Sequence, residues 1–300
     1  MKIDYICFTV PDNEHTDFEV STNDSEIVKD IKRNDAKLFK DASKNNMAIV
    51  YDRKMHRFLK NNSPVNLRGK TVFYRGNVFF QADIVRRLEK EGAYPLQKAR
   101  DSYVIRDWPD YTQPAHRTIY RTTFAEFAEN YEDYQDMFEV LHIKSVEGNK
   151  ANKVLCVFGN KEGKDGNPEF FTKPKVYLEP EDEVFLTETF AKIDDPENQE
   201  PGREYRAFVT GGELLSISRS FVKEKVEVPN DVIDATKRII LKNNKIPLFP
   251  KTYAVDVAEM MIDEKRVIDV VTYKNPCCAE LSIGHDLVKE IISSSEEEMQ

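Results

Sequence analysis

Cysteine is scarce in this chain: four residues in 300, at Cys7, Cys156 and the adjacent pair Cys277 and Cys278. None has Cys-x-x-Cys spacing and the five histidines are scattered, which argues against a zinc site and fits reduced thiols in a cytoplasmic protein. Long apolar runs are missing too. No stretch approaches the roughly 20 residues that cross a bilayer, and the opening "MKIDYICFTV" lacks the apolar core and cleavage site of a signal peptide. Positive charge is not in excess: the formal net charge is -9. That balance argues against a general nucleic-acid binder but leaves room for a local basic groove suited to phosphate.

What is present is 40% hydrophobic and 11% aromatic residues, enough for one large core or two moderate ones. In the first third, "IDYICFTV", "MAIVYD" and "KTVFYRG" read as buried strands. The run "FFQADIVRRLEKEGAYP" places Phe80, Ile84, Val85 and Leu88 at helical spacing and stops at Gly92 and Pro95. Strand followed by helix predicts a small α/β unit. The run around Trp108 reads as a packed loop, with Pro109 and Pro114. Thr123 and Glu126 have capping-box spacing before an apolar stripe of Phe124, Phe127, Ala128 and Tyr131. From Glu139 strands dominate: "FEVLHIKS", "NKVLCVFG", "EVFLTETF", and two hairpins on either side of the helix "PNDVIDATKRIILKNN".

The first hairpin, "EYRAFVTGGELLSISRS", turns on Gly211 and Gly212, the loop length and composition of a type I′ turn. Regular pairing sets Thr210 opposite Glu213, Phe208 opposite Leu215, Arg206 opposite Ile217 and Glu204 opposite Arg219. Glu204, Arg206 and Arg219 then share one face. In the second hairpin the turn "IDEK" sets Asp256 opposite Val271 and Ala258 opposite Asp269, so both aspartates lie on one face. Two carboxylates among apolar residues call for a positive partner, and Mg²⁺ is the hard ion that suits them.

From about Thr122 to Gly284 this order of elements resembles the ATP-grasp superfamily of carboxylate–amine ligases. "LHIKS" is similar to the strand whose lysine, here Lys144, contacts nucleotide phosphates, and "VEGNKANKV" lies where a phosphate-covering loop is expected. "VFLTETF" resembles the hinge strand that receives adenine, with Glu188 at its acidic position. "EYRAFVTGGELLSISR" is similar to an acidic–x–Arg strand with a second arginine beyond the turn, and "VDVAE" with "VIDV" resembles the metal strands.

The resemblance implies an α/β (α+β) chain. An N-terminal α/β domain would occupy residues 1–120. An ATP-grasp domain would occupy 121–292, two small α+β subdomains sandwiching the nucleotide, before a flexible acidic tail over 293–300. It implies ATP held by Lys144, Glu188, Phe190, Asp195 and Glu204, Mg²⁺ held by Asp256 and Asp269, and catalytic roles for Arg206 on the transferring phosphate and Arg219 on the acceptor. The partners implied are ATP and small-molecule or peptide carboxylates and amines, with no membrane.

Two departures stand out. Val271 occupies the place where the family carries an asparagine after the second metal carboxylate; read instead as "KNP", the motif offers Asn275 but leaves Tyr273 at the carboxylate position, and Asn275 or Glu280 remain alternative ligands. The phosphate loop has a single glycine, Gly148, with Gly163 and Gly166 further on. A second reading is therefore an ATP-binding assembly factor acting on a protein partner without ligase turnover. A nucleotidyl-transferring ligase is disfavoured, because "GKDG" at residues 163–166 has the wrong spacing for its nucleophile.

Overall fold

The computed structural model describes residues 2–10, 26–100, 105, 107–137, 140–146, 153–157, 178–188, 203–220, 226–262, 264–277, 279, 281 and 286–297. In chain order the first elements are β1 (Tyr5–Val10), α1 (Glu26–Lys44), β2 (Ala48–Asp52), β3 (Arg57–Lys60), β4 (Ser63–Pro64), β5 (Thr71–Arg75), α2 (Val78–Lys90) and β6 (Tyr94–Pro95). Next come α3 (Trp108–Tyr111), β7 (Ile119–Thr123), α4 (Phe124–Glu129), α5 (Tyr131–Met137), β8 (Val140–Ser145), β9 (Lys153–Val157) and β10 (Glu183–Glu188). The last are β11 (Glu204–Thr210), β12 (Glu213–Arg219), α6 (Asn230–Asn244), β13 (Tyr253–Ile262), β14 (Lys265–Lys274) and α7 (Leu287–Glu297).

The chain falls into two compact units, one of residues 1–101, 204–257 and 273–300, the other of 102–203 and 258–272. The chain returns to its first unit after residue 203, and the hairpin β13–β14 contributes residues to both.

In the first unit a six-stranded sheet has the order β4-β3-β2-β1-β5-β6, with β1 parallel to both β2 and β5. Parallel central strands are covered on both faces, and Ile6, Cys7 and Phe8 are all buried accordingly. Helix α1 stops at Asn46, whose φ is +60°; Met47 N–H donates to Ala42 O (2.8 Å) and Asn46 N–H to Ser43 O (3.1 Å), the bond pair of a Schellman cap. The same pair closes α2 at Gly92, as that glycine's position predicts: Ala93 N–H to Leu88 O and Gly92 N–H to Glu89 O, both 2.9 Å, with φ +75°. Ile3, Phe8, Leu38 and Phe73 pack with Phe208, Ala254, Leu281 and Leu287, so the sheet β12-β11-β13-β14 shares this core. Helix α7 runs through Glu297; Leu287, Val288 and Ile291 are buried and anchor it from its first turns.

In the second unit a sheet of order β7-β10-β8-β9 pairs antiparallel throughout. Leu141, Ile143, Val184 and Leu186 from it pack on Phe127. Thr123 caps α4 as its spacing predicts, accepting the Glu126 N–H at 3.2 Å. The segment carrying the expected stripe divides at Asn130, whose side chain donates to Glu126 O at 2.8 Å and ends α4; Phe127 is buried, while Ala128 is exposed rather than part of the stripe. Trp108 is buried in α3 beside the ring of Phe185.

Candidate functional site

Hairpin β11–β12 closes as its glycines dictate. Gly211 and Gly212 have φ of +61° and +84°, the pair of left-handed residues a type I′ turn requires. A Cβ on Gly212 would collide with Asn244 Oδ1, and the same Asn244 side chain donates to Gly212 O at 2.7 Å.

Thr210 faces Glu213 as expected, but the register then shifts by one. Val209 faces Leu214 and Phe208 faces Ser216, so Leu215 is an extra residue in a β-bulge. Beyond it Ala207 faces Ile217, Arg206 faces Ser218 and Tyr205 faces Arg219. Directly opposite residues share a face and neighbours alternate. Arg206 and Arg219 therefore lie on opposite faces, correcting the expectation that they lie together; Glu204 stays on the Arg206 face. The bulge matches large residues with small ones: serines stand opposite Phe208 and Arg206, and Ile217 stands opposite Ala207.

Arg206 meets Asp256 end to end. Its Nε donates to Asp256 Oδ1 at 2.7 Å and its Nη2 to Oδ2 at 3.0 Å, and Lys274 Nζ approaches Oδ2 at 3.1 Å. Arg206 and Asp256 are buried, whereas the Lys274 side chain is 23% exposed. Burial by itself would raise the carboxyl pKa; the charges of Arg206 and Lys274 and their hydrogen bonds outweigh it and hold Asp256 well below the usual carboxylate range. The sequence reading missed Lys274, although "KNP" had drawn attention to the residue beside it.

Asp269 belongs to the other unit and is held differently. Its Oδ1 accepts the N–H groups of Ala115 (2.9 Å) and Val270 (2.8 Å), and its Oδ2 accepts that of His116 (3.0 Å). Arg117 donates to Val270 O beside it. The aspartate thus fastens the segment before β7 to β14. Val271 is buried against Ala258 and Met260.

Asn275 is buried, and its Nδ2 donates to Gln81 Oε1 at 2.9 Å while its Oδ1 accepts the Cys277 N–H at 3.2 Å. Nearby, Arg75 Nη1 donates to the carbonyls of Pro276 (3.1 Å) and Ala279 (2.6 Å), and its Nε and Nη2 both reach Asp35. These bonds make Asn275 an anchor of its own loop. Glu259, completely buried, lies 2.6 Å from Arg266 and 3.6 Å from Arg203, a clamp the sequence reading also missed.

Lys144 sits in β8 opposite Phe185 and Lys153, and Glu188 ends β10 opposite Leu141, so both lie in the second unit's sheet. Phe190, Asp195, Gly148, Gly163, Gly166 and Glu280 fall outside the described residues. Of the expected residues, then, the structure joins Arg206 to Asp256, keeps Glu204 on their side of the strand, and turns Arg219 away.

No protein-family model matches the chain, and no curated protein sequence matches it. Solved structures do. The D-alanyl-alanine synthetase A of Vibrio cholerae O1 biovar eltor str. N16961 superposes with a TM-score of 0.52 at 11% identity, over 99% of this chain and 98% of that one. The D-cycloserine synthetase DcsG gives 0.51 at 10%, over 99% and 100%. The ATP-grasp ligase PsnB, complexed with its minimal precursor, gives 0.51 at 10%, over 98% and 99%. The fold of this chain is the ATP-grasp fold.

Proposed function

We propose that the protein is an ATP-dependent ligase that joins a carboxylate to an amine with release of ADP. The observation that supports this most is the extent of the shared fold: proteins named as a D-alanyl-alanine synthetase, a D-cycloserine synthetase and an ATP-grasp ligase complexed with a minimal precursor match it over nearly their whole length. In this reading a substrate carboxylate oxygen attacks the γ-phosphorus, the bond to ADP breaks, and an acyl phosphate forms. The amine then attacks the acyl carbon, loses a proton, and expels phosphate. Such chemistry depends on positioning and charge stabilisation more than on a protein nucleophile.

Lys144, Glu188, Phe190, Asp195 and Glu204 are assigned to the nucleotide. Arg206 contributes positive charge, and Arg219, on the opposite strand face, keeps the acceptor role only if the acceptor reaches that side. A cytoplasmic location accords with Cys7 and Cys277, neither of which is in a disulfide. Mg²⁺ accompanies ATP in the expected chemistry, yet the two aspartates as arranged do not suit it. Asp256 is engaged by two cations, and the oxygens of Asp269 are taken by three N–H donors. Among the described residues no group of three or more histidine, cysteine, aspartate or glutamate side chains could hold a metal ion.

That same engagement of both aspartates, with Val271 buried in place of an asparagine, favours a second reading: an ATP-binding assembly factor that acts on a protein partner without ligase turnover. The deciding experiment incubates the purified chain with ATP, Mg²⁺ and pools of carboxylates and amines. ADP release that requires both pools supports the ligase. Transfer of ¹⁸O from the β,γ-bridge into non-bridging positions, seen with carboxylate alone, supports the acyl phosphate. ATP binding with neither signal overturns the ligase and leaves the assembly factor.

A further inference from the structure

Helix α6 and the turns after it carry a basic face with leucines standing out of it. Residues 235–255 hold Lys237, Arg238, Lys242, Lys245 and Lys251 and no aspartate or glutamate, in a chain whose net charge is -9. Leu241 stands four positions after Lys237, three after Arg238 and four before Lys245, the spacing that stacks side chains on one face of a helix. All four are exposed, Leu241 at 61%, and Leu248 beyond the helix is 64% exposed. Among the described residues, none of Lys237, Arg238 and Lys245 is in an ion pair. A helix C-terminus favours cations in its last turn, which accounts for Lys242 and Lys245. It does not account for Lys237 and Arg238, further up the helix, or for the two leucines.

The inner side of this segment is pinned. Asn243 is buried, and its Nδ2 donates to the hydroxyls of Tyr253 (3.2 Å) and Tyr273 (2.8 Å). Turn bonds from Lys245 N–H to Lys242 O (3.1 Å), Ile246 N–H to Asn243 O (3.0 Å) and Phe249 N–H to Ile246 O (3.2 Å) carry the chain past Leu248. The buried ring of Phe249 then meets those of Tyr253 and Tyr273 edge-on, with centroids 5.2 and 5.0 Å away. The backbone that carries the leucines is therefore fixed by its neighbours before anything docks, which lowers the ordering cost of binding.

We propose that the outer face of α6, with the turn to Leu248, docks an acidic segment of a partner polypeptide. Apolar side chains of the partner seat on Leu241 and Leu248, and its carboxylates face Lys237, Arg238 and Lys245. Single-stranded nucleic acid calls for aromatic platforms beside the cations, whereas the exposed apolar groups here are aliphatic. An anionic bilayer would meet the acidic remainder of the chain as well as this face, whereas a polypeptide segment meets the face alone, because charges are felt over only about 8 Å at physiological salt. The surface stands whether or not the chain is a ligase.

The test is selection of a random-peptide phage library on the purified full chain, after depletion of the library on the Leu241→Gln/Leu248→Gln variant. Peptides rich in aspartate or glutamate together with leucine, isoleucine or phenylalanine are expected to be enriched. A synthetic copy of the most enriched peptide, followed by fluorescence anisotropy, is expected to bind the leucine variant about tenfold more weakly than wild type. It is also expected to bind Lys237→Gln/Arg238→Gln more weakly, and to lose affinity with added salt, while both variants keep the wild-type unfolding midpoint. No enrichment beyond the depleted library overturns the docking surface. So do enriched peptides without acidic residues, or affinity unchanged in Lys237→Gln/Arg238→Gln. Wild-type chain that sediments with vesicles of equal phosphatidylserine and phosphatidylcholine, or binds poly(U), and is released from either by the leucine substitutions, also overturns it and gives the face to lipid or RNA. Should the leucine variant fail to fold, Lys237→Gln/Arg238→Gln replaces it in the depletion step and still decides.

Discussion

Asp256 and Asp269 sit on the two arms of one hairpin and are each 1% exposed, yet they meet the cost of a buried carboxylate in different ways. Asp256 is balanced by full charges, the guanidinium of Arg206 and the ammonium of Lys274. Asp269 is balanced by dipoles, three backbone N–H groups, two of which belong to a segment more than 150 positions earlier. A buried anion can be satisfied either way. The consequences differ. A charge pair ties together side chains from neighbouring strands, whereas a cage of amides fixes the path of the backbone.

The sharpest way to break the comparison is to remove the charge while keeping the shape. Asp256→Asn leaves Arg206 buried beside Lys274 without an anion, and losing one partner of a buried pair costs about 3–5 kcal/mol. Asp269→Asn keeps one carbonyl oxygen for the amides and turns an NH₂ toward the others, a loss of about 1–3 kcal/mol. Urea unfolding of both variants measures the difference, and equal losses would show that the kind of partner does not matter. The third expectation concerns acid. The folded-state pKa of Asp256 is depressed, so the stabilisation is complete above the unfolded-state value of about 4 and is lost as the pH falls below it. The wild-type chain should therefore lose more stability between about pH 5 and pH 2 than Asp256→Asn does. Parallel acid titrations of unfolding would contradict the assignment.

Local signals carried much of the fold into the sequence. The apolar runs of β1, β2 and β5, Gly92 as the stop of α2, Thr123 as a cap and the paired glycines of the type I′ turn each depend on neighbouring residues alone, and each stands where its chemistry predicts. The bulge at Leu215 was not legible. Its cause lies in size matching across strands, Phe208 against Ser216 and Arg206 against Ser218, and a regular alternation on paper cannot register an extra residue. The cost of that miss was functional, because one residue of slip moved Arg219 to the other face. Lys274 was hidden for a related reason: its partner Asp256 is 18 positions away, and only the folded hairpin brings the two charges within 3.1 Å. Asn275 drew attention as a candidate ligand because its motif is local, but its partners, Gln81 and the backbone of Cys277, depend on where the loop lands.

Thr123 offers the mildest version of the Asp269 arrangement and so measures what burial and charge add. Its Oγ1 accepts the Glu126 N–H at 3.2 Å on an exposed edge of α4, a side-chain oxygen doing for one amide what Asp269 does for three. Water can replace a lost acceptor there, since the first turn of a surface helix is open to solvent. Thr123→Ala should therefore cost about 1 kcal/mol, below Asp269→Asn, with the unfolding midpoint as the measure. If the threonine variant loses as much as the aspartate variant, then the amide bond alone accounts for both, and neither the burial of Asp269 nor its charge strengthens its hold on residues 115 and 116. If the order holds, the same physical device spans a graded series: an exposed hydroxyl on one amide, a buried carboxylate on three, and at Asp256 a buried carboxylate on two cations.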